Sequence, residues 1–123
     1  MKDNPVKKLV EIAAVVVIFS LSGCAGRMSF MDRISAADRI AEKAGFNNSL
    51  VKTDSFTLKA YHRIEKPGRP LTVYIEGDGH AWVSRKRLSL NPTPRDSLVL
   101  DLAAMDPSDN VVYIARPCQY VFP

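Results

Sequence analysis

The apolar positions of the chain fall into groups of different period. The first is a block: Ile12 to Leu21 (IAAVVVIFSL) is ten residues with only Ser20 polar. A run this short does not cross a hydrocarbon core, which needs about 20 residues. Preceded by Lys2, Lys7 and Lys8, it has the layout of a secretory signal, a positive n-region followed by an apolar h-region. Next, Ile34, Ala37, Ile40, Ala41 and Ala44 recur at helical spacing. Ser35 is the expected N-cap of this short helix, with Asp38 near its positive end and Gly45 just past its last turn. Residues 55–61 (SFTLKAY) alternate and predict a half-buried strand with Phe56, Leu58 and Ala60 on one face. Turn chemistry follows in Glu65-Lys66-Pro67-Gly68-Arg69-Pro70.

Two later runs have the look of central strands. Leu71 to Ile75 (LTVYI) and Val111 to Ala115 (VVYIA) are β-rich and nearly continuous, the pattern of strands buried on both faces. Between them, Thr93 is the expected N-cap of a helix, with Pro94 at N1 and Asp96 at N3. Leu98, Leu102 and Met105 supply its apolar stripe, and Asp106-Pro107 ends it. Strand, long connection with a helix, strand is a β-α-β crossover, which pairs its strands in parallel. The expected fold class is therefore α/β.

Residues 21–24 read Leu-Ser-Gly-Cys. Small residues before a cysteine, at the end of an h-region, resemble the bacterial lipobox. The resemblance implies cleavage before Cys24 and acylation of its thiol, so that the chain is held on a membrane by lipid. The competing reading is an uncleaved N-terminal anchor with an incidental cysteine. Ala25, where such signals carry Asp for inner-membrane retention, implies the outer membrane, facing the periplasm. The expected division is a signal helix over residues 1–23, a tether over 24–33, and a domain over 34–123.

Charge adds a negative result. The chain carries 17 Lys and Arg against 13 Asp and Glu, a net charge of +4. The signal holds three lysines against Asp3 and Glu11, so its removal leaves +3. That mild excess, without a long basic run, does not point to nucleic acid. Arg85-Lys86-Arg87 is the one basic cluster, and it reads first as a solvated surface, with a phosphate or lipid-headgroup site as the alternative.

Function in open α/β sheets sits at the carboxyl ends of the strands. Two loops qualify, Glu76 to Trp82 (EGDGHAW) and Arg116 to Tyr120 (RPCQY). Gly77 and Gly79 allow a sharp turn and leave N–H groups accessible, which suits either a tight turn or an oxyanion site. With no third glycine and no immediate helix, this is not a dinucleotide fingerprint. Asp78 and His80 form either an acid–base pair or two metal ligands. No third ligand is evident, so neither a metal nor any other cofactor is expected. His62 reads as an ordinary surface residue.

The stretch LTVYIEGDGHAW, followed by NPTPRDSLVLDLAAMDPSDNVVYIARPCQYV, resembles bacterial envelope lipoproteins of the α/β-hydrolase fold. The likeness extends back through the Ser35 helix and the Phe56 strand. It implies a partial hydrolase-like sheet, with Gly77-Asp78-Gly79 as the oxyanion loop and one donor N–H near Asp78 or Gly79. In that fold the nucleophile, acid and histidine come later in the chain. G-x-S-x-G occurs nowhere in the 123 residues. The resemblance thus makes this chain the N-terminal part of a serine-hydrolase-like domain, from a truncated or split reading frame and inactive alone. It also implies that Leu71–Ile75 is left as a bare edge, which a separate chain supplying the missing half could cover.

With Cys24 acylated, Cys118 is the remaining thiol in an oxidising compartment. An odd cysteine there suggests a disulfide with a partner outside this sequence or an intermolecular bridge. A free buried cysteine is the plainer alternative. A competing function is a small envelope lipoprotein that acts as a binding or structural module.

Overall fold

The computed structural model describes residues 29–121; the signal segment, Cys24 and the first half of the tether lie outside them. The elements are α1 (Phe30–Lys43), β1 (Asn47–Lys52), β2 (Thr57–Ile64), β3 (Thr72–Ile75), β4 (Trp82–Ser84), β5 (Arg87–Leu88), α2 (Leu98–Met105) and β6 (Asn110–Ile114). Strands β1-β2-β6-β3 form a mixed sheet, and β4 and β5 form a separate small hairpin. This is α/β architecture.

α1 begins earlier than its apolar spacing suggests. Ser29, not Ser35, is the N-cap: its hydroxyl accepts from the Asp32 N–H, and the Asp32 carboxylate accepts from the Ser29 N–H. This reciprocal pair satisfies two otherwise orphan donors. Residues 30–33, read from the sequence as tether, are thus the first helical turn. Asp38, expected near the helix start, instead binds the sheet through the Tyr61 hydroxyl (2.7 Å) and Lys59 Nζ (3.1 Å). The far end matches expectation. Gly45 takes φ +71°, its N–H reaches Glu42 O, and the Phe46 N–H reaches Ala41 O.

β1 is absent from the sequence reading because Asn47-Asn48-Ser49-Leu50-Val51-Lys52 shows no buried alternation, and nearly all of it is exposed. It is an edge strand held by antiparallel pairing with β2. β2 itself starts at Thr57, which leaves Phe56 outside it and half exposed. Its principal core residue is Tyr61, not Phe56. Tyr61, Tyr113 and Tyr74 stand side by side across β2, β6 and β3. Together with Val111 they meet Ala37 and Ala41 of α1 and Leu100 and Ala103 of α2.

β3 and β6 pair in parallel, Thr72 with Val111 through Ile75 with Ile114. The crossover is as expected, but β3 is not buried on both faces. It lies at the end of the sheet, with Val73 and Ile75 46% and 68% exposed. These two share a face with Val112 and Ile114, and no helix among the described residues covers that face. α2 also differs from expectation: its expected apolar stripe, Leu98, Leu102 and Met105, is exposed, and Leu100 and Ala103 face the core instead. It begins at Leu98 with Ser97 as a cap whose side chain makes no capping bond to the helix. Thr93 lies five residues ahead of this start, and its buried hydroxyl accepts the Tyr120 N–H at 2.9 Å instead.

Candidate oxyanion loop

Parallel pairing puts the carboxyl ends of β3 and β6 side by side, so the two loops singled out from the sequence meet. The first rung past the strands is Glu76 N–H to Ile114 O, 2.9 Å. Glu76 is buried. One carboxylate oxygen accepts from the Tyr113 hydroxyl (2.7 Å) and the other from the Gly77 N–H (2.9 Å). Burial raises the Tyr113 hydroxyl well above its ordinary value, and the Glu76 carboxylate adds to this, so it stays a donor.

Gln119 then locks the loops together. Its Nε2 donates to Gly77 O (2.9 Å) and its Oε1 accepts from the Arg116 N–H (3.0 Å), with the side chain almost fully buried. Arg116 Nη1 and the Asp78 carboxylate form an exposed ion pair across the top. On the far side, the His80 N–H donates to Pro92 O at 2.9 Å.

The two glycines have different reasons to be there. Gly79 takes φ +57°, and a Cβ on it would stand 2.3 Å from Pro92 O and 2.8 Å from Gln119 Nε2. Gly77 has open space where its Cβ would be, so sequence reasoning that gives both the same role is right only for Gly79. The second loop is also bent tightly. Cys118 and Tyr120 take φ of +67° and +55°, a conformation that side chains other than glycine rarely adopt. The buried Tyr120 ring and its N–H bond to Thr93 hold that bend.

What remains at this end of the sheet is a pair of donors. The Gly77 N–H is taken by Glu76 and the His80 N–H by Pro92. The Asp78 and Gly79 N–H groups, between them, donate to nothing among the described residues. Free amides in a pinned loop can receive negative charge without reorganising first, the property that stabilises an oxyanion. The Asp78 carboxylate beside them would oppose an anion, and its ion pair with Arg116 offsets this.

The other sequence candidates lie elsewhere. His62 is on β2, 3.5 Å from Ser49 Oγ and away from the loops. His80 faces Arg95, with Nε2 3.3 Å from Nη2. Cys118 is exposed, which corrects the reading of a buried free thiol. Among the described residues no three His, Cys, Asp or Glu side chains are grouped to hold a metal. Gln119 is the residue that sequence reasoning missed. Its signal was only its place inside RPCQY, since a buried glutamine leaves no periodic trace. No family model, curated protein or solved structure matches this chain.

Proposed function

We propose that the chain is a lipid-anchored protein of the bacterial cell envelope, carrying the oxyanion-loop part of an α/β-hydrolase-type sheet. The observation that carries the hydrolase reading is the pair of unengaged amides, Asp78 and Gly79, at the carboxyl end of an edge strand. The bare face of Val73, Ile75, Val112 and Ile114 supports it, since sheets of that class are covered by helices on both sides. In this reading a strand from elsewhere seats against β3 and brings the serine, and the chain alone has no nucleophile of the G-x-S-x-G kind. Lipid on Cys24 holds it at the outer membrane, facing the periplasm.

Incubation of the purified chain with a fluorophosphonate probe tests the catalytic half of this reading. The expected outcome is no covalent label. Stoichiometric labelling of one serine would mean that the chain carries a complete acyl-transfer site of another design.

A further inference from the structure

The basic cluster seen in the sequence is not isolated. Arg87 on β5 belongs to an open cleft of about 370 Å³ between the small hairpin, the start of α1 and the loop ahead of α2. Arg33 enters the cleft from the first turns of α1, and Arg95 and His80 close it on the other side. Ser89 and Asn91 add polar atoms, and no carboxylate lines it. None of the three arginines forms an ion pair with a described residue. Arg33 is fixed in place by its Nη1 bond to Thr93 O at 2.7 Å, while its Nε is buried without a partner.

Gathering three guanidinium groups in one concave site without a counter-charge costs electrostatic energy, and an anion there would recover it. Arginine forks match the oxygens of phosphate, and several forks converging on one group are the usual means of holding it. The rim has the opposite character. Trp82, Leu88 and Leu90 are 56%, 64% and 100% exposed, next to Arg85 and Lys86 at the hairpin turn. Exposed aromatic and aliphatic side chains interleaved with basic ones suit a water–lipid boundary.

We propose that the cleft between Arg33, Arg87 and Arg95 binds the phosphate group of an anionic ligand, with the Trp82–Leu90 rim against whatever apolar part that ligand carries. This cleft adjoins the Asp78–Gly79 loop through His80 and does not depend on the lipid anchor or on hydrolase chemistry. A phospholipid headgroup and a soluble phosphate share the chemistry that the arginines read.

Trp82 is the single tryptophan of the chain and pairs with Leu88, which lines the cleft, so its fluorescence reports on the adjoining hairpin. The full chain is held on phosphatidylcholine vesicles, where any insertion of its N-terminal segment is constant. It is then compared with the chain on vesicles in which phosphatidylglycerol replaces part of that lipid, and separately titrated with inorganic phosphate. A blue shift of Trp82 with phosphatidylglycerol but not with phosphate identifies a headgroup ligand; a response to inorganic phosphate identifies a soluble one. In either case R87Q and R95Q, both at exposed positions, weaken the response about tenfold each, while R39Q on the outside of α1 leaves it unchanged. No response to either ligand, or a response that R87Q and R95Q leave intact, overturns the proposal.

Discussion

Gly79 shows how much a single position decides. Its backbone is left-handed, and the space its side chain would need is filled by Pro92 O and the Gln119 amide. Gly79→Ala therefore strains the backbone and pushes apart the two loops that Gln119 joins. We expect a loss of about 2 kcal/mol or more in urea unfolding. Gly77→Ala, two residues away, meets nothing within 4 Å and should cost no more than about 1 kcal/mol. Comparable losses in the two variants would contradict the geometry of the loop. The sequence pointed to this loop because glycines beside charged residues after an apolar strand are visible without a structure. It could not separate the two glycines, because the difference lies in Pro92 and Gln119, far away along the chain. The cleft arginines were equally hidden. Arg33, Arg87 and Arg95 come from three segments, and only Arg87 sat in a visible cluster.

At the scale of elements, the α1 stripe and the parallel crossover were legible, whereas the caps and the buried faces of β3 and α2 were not. The sequence holds two S-x-x-D patterns, Ser29 to Asp32 and Ser35 to Asp38, and either could start α1. The first wins, and the second is then free for Asp38 to hold Tyr61 and Lys59. Ser29→Ala should cost about 1 kcal/mol, read as a lower melting temperature, whereas Ser35→Ala, inside the helix, should cost little or stabilise slightly. The parallel pair β3–β6 was predictable from two apolar runs flanking a helix. β1 was not, since its residues are polar and exposed and only cross-strand bonding to β2 makes it a strand. Thr93, the expected cap, lies five residues ahead of α2, and its hydroxyl serves Tyr120 instead.

At the scale of the molecule, helices lie on one face of the sheet, and the opposite face and the β3 edge are open among the described residues. Such an edge invites another strand, whether a functional partner or an aggregate. Stability should also depend on acid. Asp106 is held below its ordinary value of 3.8 by Ser108, hydroxyl first and then backbone N–H, and by the Tyr74 hydroxyl. Asp32 is held below it by the Ser29 backbone N–H first. Carboxylates with lowered folded-state values contribute stability that is present above 3.8 and lost as pH falls through the folded values. Urea midpoints should therefore drop on acidification below pH 3.8, and Asp106→Asn should flatten that decline. An unchanged acid limb in the variant would show that Asp106 is not part of it.

The proposed lipid anchor on Cys24 would bring this half-covered sheet to a membrane. Mass spectrometry of the N-terminal peptide, from protein extracted from a bacterial envelope, tests that directly. The expected outcome is a chain that begins at Cys24 and carries a diacylglyceryl group on its thiol. Retention of residues 1–23, or an unmodified Cys24, would contradict it.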